Sequence, residues 1–367
     1  MSAALGHRAL QAGLAVWMAT AGASTADSLT GVAVPNIIWQ SPQDIDDTLA
    51  DIRAADFEAV RIGWKAPLDA ARLAVREARA QGLEVLVTLP LIDGTISREG
   101  AVARPRTDRF FAVHGLSQID PVRLQQRLRE LIDFAANEGI ALAGIEIGNE
   151  MNWSGYNGDL PLAPQGAVID NLAHMAPLDR QAFLAGLQAY VDALGIARAA
   201  LDDAGMTGKT ALVMGGLADI NSPFIRSSGA TYVDPVLTHA LLGDLGAFEA
   251  IDAVGIHLYE PLRLAMADAD RAGMIRSQLA GCFTADYGGA SCWITEFGTA
   301  EPDAGCSLDD RERRQMLAPL SNYLRDPATA GRIGATFYYD WDGDAAFSLV
   351  RCGQPTRLTL DLTQTLH

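Results

Sequence analysis

The stretch Cys292-Trp293-Ile294-Thr295-Glu296-Phe297-Gly298 decides the reading of the chain. Its run of apolar, β-branched and aromatic residues predicts a buried strand. That strand closes on a carboxylate followed by a glycine. Burying a charge without a partner is costly, so a strand that ends in this way is placing the carboxylate for use. The stretch Gly144-Ile145-Glu146-Ile147-Gly148-Asn149-Glu150 ends in the same manner. Two strands far apart in the chain, each carrying a Glu at its C-terminal edge, ask for a fold that gathers strand ends on one face.

Working outward, short apolar runs alternate with longer helical patterns. Predicted strands run from Leu29 to Val34, Ala59 to Trp64, Glu84 to Leu89, Ala143 to Gly148, Thr210 to Gly215, Ala253 to Leu258, Ser291 to Glu296 and Gly334 to Tyr339. Predicted helices run from Pro42 to Ala55, Leu68 to Ala80, Pro121 to Asn137, Asp179 to Ala204, Pro235 to Leu245, Arg263 to Leu279 and Asp309 to Arg325. This alternation predicts an α/β fold, a single-domain (β/α)₈ (TIM) barrel. A doubly wound open sheet would carry a glycine-rich turn after its first strand, and Ala33-Val34-Pro35-Asn36 is not one. The long loops at 92–118 and 152–176 follow strands, where a barrel builds its working face.

Composition narrows the function. With 49% hydrophobic and 20% charged residues, the 367-residue chain holds a sizeable core. Its net charge of −17 and pI near 4.7 oppose binding to nucleic acid or an anionic membrane surface. A neutral substrate fits best. His7 and Arg8, the apolar run from Ala9 to Ala23, and the small residues Ser24-Thr25-Ala26 read as a signal peptide over residues 1–26. The catalytic domain then occupies 27–367, secreted or periplasmic, with no later run long enough to span a membrane. In that oxidising setting Cys282 pairs with Cys292 at one end of the barrel, and Cys306 with Cys352 at the other. Unpaired buried thiols are the alternative.

Barrel enzymes keep their chemistry at strand C-termini. Those positions here are Arg61 and Trp64 (second strand), Asn149 and Glu150 (fourth), His257 and Tyr259 (sixth), Glu296 (seventh) and Trp341 (eighth). Trp153 and Tyr156 sit among small polar residues in the loop after the fourth, and either line a subsite or pin the loop. Glu146 shares the parity of Glu150 and points towards the barrel core, where it needs a cation or hydrogen bonds. Strict alternation puts Asn149 and Glu150 on opposite faces, so both reach one pocket only if the strand has ended or bulges there. None of the six His residues forms a zinc-type spacing, and no Gly-x-Ser-x-Gly elbow is present. The acidic runs at 44–47 and 309–312 read as charges favouring helix N-termini.

Asn149-Glu150 ending the fourth strand and Thr295-Glu296-Phe297-Gly298 ending the seventh resemble the clan A glycoside hydrolase barrels. His257-Leu258-Tyr259, Arg61 and Trp341 match its cellulase and mannanase branch. Gly148-Asn149-Glu150 is also similar to the galactanase and β-1,3-glucanase branches. Two departures are Met151, where the cellulase branch usually has proline, and Leu89-Pro90-Leu91, which lacks a histidine many relatives carry. The resemblance implies a retaining β-glycoside hydrolase with Glu150 as acid/base and Glu296 as nucleophile. Arg61 and Tyr259 would hold Glu296 ionised, Asn149 would bond the sugar 2-hydroxyl, and Trp341, Trp64 or Trp153 would offer flat faces to a sugar. Its substrate would be a β-linked oligo- or polysaccharide, cut internally, with no metal or organic cofactor. The alternatives are an exo-acting β-glycosidase and a catalytically silent barrel that binds glycan.

Overall fold

A computed structural model describes residues 28–365, apart from 221, 264–266, 285, 302–304, 327, 328 and 330. The predicted signal peptide lies outside the described residues. Eight parallel strands close into a barrel: β1 Leu29–Ala33, β2 Ala59–Gly63, β3 Glu84–Leu89, β4 Gly144–Ile147, β5 Ala211–Leu217, β6 Ala253–Leu258, β7 Ser291–Phe297 and β8 Ile333–Tyr338. Each strand pairs with its neighbours in chain order, and β8 returns to β1. The fold is the predicted (β/α)₈ barrel, as one domain.

Two hydrophobic layers hold it. Inside the barrel, Ala59, Leu86, Val213, Ala253, Trp293, Ala335 and Phe337 fill the lower end. Phe337 stands beside Gly31 on the neighbouring strand, and a Cβ on Gly31 would lie 2.6 Å from its ring. Outside, aliphatic residues at alternate strand positions meet the buried stripes of the helices, such as Ile45, Leu49 and Ile52 of Pro42–Ala54. The helix Pro121–Glu138 starts on an Asp120 cap and stops at Gly139, whose φ of 66° suits glycine.

The predicted elements recur with ends moved by a few residues, and three features are new. The loops after β4 and β5 each give a short strand, Ala167–Ile169 and Thr231–Val233, which pair in parallel. A short helix, Ser222–Ser228, precedes the second of these. The chain closes on a two-stranded hairpin and the helix Arg357–Thr365. Both predicted disulfides are formed, Cys282–Cys292 and Cys306–Cys352, with Cα separations of 5.7 and 5.5 Å. Among the described residues no helix is long and apolar enough to cross a membrane.

One expectation is corrected here. Asp310 is more than a charge favouring a helix dipole. It is buried, and its carboxylate is held 2.7 Å from Arg313 and 2.9 Å from Arg351. Arg313 also donates to the carbonyls of Phe347 and Ser348, so this ionic cluster fixes the loop that follows β8.

Candidate active site

The site begins with how β4 ends. The strand stops at Ile147, and Gly148 then adopts φ 81° and Glu150 φ 48°. Left-handed backbone is strained for any residue with a Cβ. Here it turns the chain so that Asn149 and Glu150, which an unbroken strand would send to opposite faces, both reach the barrel mouth. The Glu150 amide is tied to the Gly216 carbonyl of β5 at 2.7 Å.

Arg61 is the hub. Its guanidinium donates from Nε to Glu146 at 2.7 Å, from Nη1 to Glu296 at 2.5 Å and from Nη2 to Asn149 Oδ1 at 2.7 Å. Glu146 is fully buried, and its remaining partners are the Thr88 hydroxyl at 2.6 Å and the Gly216 amide at 3.3 Å. A buried cation and two buried carboxylates are stable together only with their hydrogen-bonding groups satisfied, and this arrangement satisfies them.

Glu296 Oε2 accepts a 2.6 Å hydrogen bond from the Tyr259 hydroxyl. His257 Nδ1 lies 3.1 Å from Glu150 Oε1 and 3.7 Å from Glu296 Oε2. Burial alone would raise the Glu296 carboxyl. His257, Arg61 and the Tyr259 hydroxyl outweigh it and hold the group below the ordinary value of 4.5. Burial would lower His257, but Glu296 and Glu150 prevail and raise it above 6.5. One oxygen from each glutamate and a ring nitrogen of His257 lie within 4.8 Å of one another. Those three groups have the spacing of a cation site, but the Arg61 guanidinium already supplies positive charge to Glu296.

The aromatic residues sort differently from the sequence-based expectation. Trp341 is only 2% exposed and packs edge-on against Phe57, its amide bonded to Ala33 O. Trp64 is buried against Phe134 beneath the Arg72 guanidinium. Neither faces the site, because the chain has left each strand before that residue and turned it into the outer core. Trp153 does reach the site: its indole N–H donates to Glu150 Oε2 at 3.1 Å. Its ring also meets Phe110, Tyr156 and Phe224, so it pins the loop as well.

Tyr339 was missed. It stacks edge-on with Tyr259 at 6.1 Å, and burial together with the Glu296 charge pushes its hydroxyl well up. The signal was present: Ala335 and Phe337 face the barrel interior, and Tyr339 continues their parity. Tyr156 lies near both carboxylates, and its hydroxyl is likewise pushed up by burial and by their charge.

Comparison of the sequence with protein-family models and with curated proteins returns no match. Solved structures do match. One of two fungal β-1,4-galactanases aligns over 92% of this chain and 99% of its own, with a TM-score of 0.56 at 12% identity. A hyperthermophilic endocellulase from the archaeon Pyrococcus horikoshii aligns over 92% of each chain, with a TM-score of 0.55 at 14% identity. A GH5-4 broad-specificity endoglucanase from an uncultured bacterium aligns over 93% of this chain and 94% of its own, at 0.53 and 12%. This chain has their fold. At such identities the likeness is one of architecture, and any chemistry must be argued from the side chains.

Proposed function

We propose that this protein is an exported, retaining β-glycoside hydrolase that cuts within a β-linked polysaccharide. The observation that carries the reading is a pair of carboxylates with one oxygen of each within 4.8 Å of the other, Glu296 being held ionised by His257, Arg61 and Tyr259. Retaining glycosidases need about 5 Å between their two carboxyl groups, whereas inverting ones leave room for a water. The galactanase, endocellulase and endoglucanase folds support the same class.

In this reading Glu296 attacks the anomeric carbon while protonated Glu150 gives its proton to the departing glycosidic oxygen. A glycosyl ester on Glu296 and a free alcohol result. Glu150, now a carboxylate, takes a proton from water as that water attacks the same carbon and frees Glu296. Asn149 accepts from Arg61 through Oδ1, which turns its amide N–H₂ group towards a sugar 2-hydroxyl. Tyr339 and Tyr156 offer ring faces to the sugar at the cleaved bond. Rings continue outward from Tyr156 to Phe111 and from Trp153 to Phe224, with Phe111 44% and Phe224 46% exposed. That length of surface exceeds one sugar and supports internal cleavage. Two disulfides support export to an oxidising compartment.

The test is turnover of an aryl β-glycoside panel and a polysaccharide panel by variants. Glu296→Ala should lose at least 10³-fold on every substrate. Glu150→Ala should lose far more on polysaccharide than on aryl glycosides whose leaving groups need no proton. Turnover surviving in Glu296→Ala, or equal losses for Glu150→Ala on both panels, would overturn the assignment.

A further inference from the structure

A cavity of about 880 Å³ lies against β5 and β6; neither Glu150 nor Glu296 lines it, although His257, which reaches both, does. Leu217 of β5 and Gly255, Ile256 and His257 of β6 form its inner wall, and the helices Pro235–Asp244 and Asp268–Gln278 contribute to the outer one. Barrels normally fill this layer with aliphatic side chains. Here the lining includes the small residues Ala240, Gly246 and Ala280, and at Gly243 and Gly281 the rings of Phe248 and Tyr287 take the space a side chain would fill.

His257 Nε2, His239 Nε2 and Gln278 Oε1 are shielded from solvent and without a protein partner; the first belongs to the catalytic site, and the other two come from the outer helices. A buried polar atom left unpaired costs about 1–3 kcal/mol, and two at one cavity point to a ligand that pairs them. The Tyr287 hydroxyl lies 3.2 Å from His239 Nδ1, and burial lowers that imidazole to about 4, so the ring is neutral. Nε2 is then a donor where the Tyr287 hydroxyl donates to Nδ1 and an acceptor where that hydroxyl accepts. The Gln278 amide bonds Asp219, which leaves its carbonyl oxygen as an acceptor. Asp219 is itself held by the amides of Tyr259 and Glu260, at 2.9 and 2.8 Å.

The lining has no Lys or Arg, and the carboxylates of Asp244, Glu249 and Asp286 stand exposed at its rim. An anion is therefore repelled, and the interior presents the neutral His239 imidazole, the Gln278 carbonyl and the rings of Tyr232, Phe248 and Tyr287, beside the Asp219 and Asp234 carboxyls. The volume lies within the range of small-molecule sites. We infer that this cavity is a second binding site, separate from the catalytic carboxylates, for a neutral mono- or disaccharide. It does not depend on the hydrolase reading.

The test uses the full chain with glucose, galactose, mannose, xylose, cellobiose and glucuronate as probes. Hydrogen–deuterium exchange should show at least one neutral sugar protecting peptides over 235–249 and 277–284, with glucuronate giving no protection. Calorimetry should show that affinity fall at least tenfold in Gln278→Ala, vanish in Ala240→Trp and persist in Glu296→Gln. The inference fails if no neutral sugar protects those peptides or if protection is confined to the loops around Glu150. It fails equally if glucuronate protects as well, or if Gln278→Ala binds as tightly as the parent. The exchange result on the unaltered protein stands alone should Ala240→Trp not fold.

Discussion

The decisive residue is Arg61, because three acceptors, Glu146 in β4, Asn149 just past its end and Glu296 in β7, converge on one planar fork. A lysine has the charge but not the geometry. Its consequence is electrostatic: with His257 and Tyr259 it reverses what burial does to Glu296. Since the folded-state value lies below 4.5, the carboxylate persists above that value and is lost as pH falls through it. The acid limb of kcat/KM should therefore lie below pH 4.5. Tyr259→Phe removes one hydrogen bond to the charged form, worth about 1.5–3 kcal/mol. Its acid limb should move upward and its rate fall roughly 10- to 100-fold; a pH–rate profile that keeps its acid limb would contradict the account of Glu296. At this scale the sequence is a good guide for the polar residues and Tyr259 near strand ends, but not for Trp64 and Trp341. Arg61, Asn149, Glu150, His257, Tyr259 and Glu296 do meet, and Glu146 finds the cation and hydrogen bonds its parity called for. Trp341 shares the parity of Tyr339, but β8 ends at Tyr338 and the chain has turned by position 341, so Tyr339 stays beside Tyr259 while Trp341 packs on Phe57.

Among the elements, the loop after β4 carries most of the site, and a buried amide holds it. Asn152 donates to the carbonyls of Ala218 and Val233 at 3.1 and 2.9 Å and accepts from the Ala218 amide at 2.7 Å. It thereby ties the Glu150 loop to the segment after β5, and the Ser154 hydroxyl repeats the link by accepting from Thr231 N at 3.0 Å. Asn152→Ala would leave three buried backbone groups unpaired, a loss of roughly 3 kcal/mol or more. Urea unfolding should show that loss, and kcat should fall with it because Trp153 adjoins Asn152 and Glu150 lies two residues before it. Full stability with full activity would mean the loop is held by other contacts. None of this was legible in the sequence. A polar loop gives no periodicity to read, and the pairing of Ala167–Ile169 with Thr231–Val233 joins segments about sixty residues apart.

At the level of the whole molecule, the barrel was legible because alternation of strand and helix is a global pattern that survives errors of a few residues at each boundary. The disulfides followed from that topology, since only one pairing puts both partners at the same end. They also predict a stability difference. By chain entropy, closing the 46-residue loop of Cys306–Cys352 contributes about 4 kcal/mol and the 10-residue loop of Cys282–Cys292 about 3. Reduction should lower the urea midpoint, and the Cys306→Ser/Cys352→Ser pair should lower it more than Cys282→Ser/Cys292→Ser; the reverse order would show that unfolded-chain entropy is not what these bonds control. The cavity against β5 and β6 was not legible, because its lining comes from several separate elements. The central claim concerns a covalent bond to one side chain, and mass spectrometry tests it directly. After reaction with 2-deoxy-2-fluoro β-glycosides of the gluco, manno, galacto and xylo series, the intact protein should gain the mass of one fluoroglycosyl group, mapped to the peptide containing Glu296. Steady hydrolysis of those reagents with no adduct, or an adduct on any other residue, would contradict it.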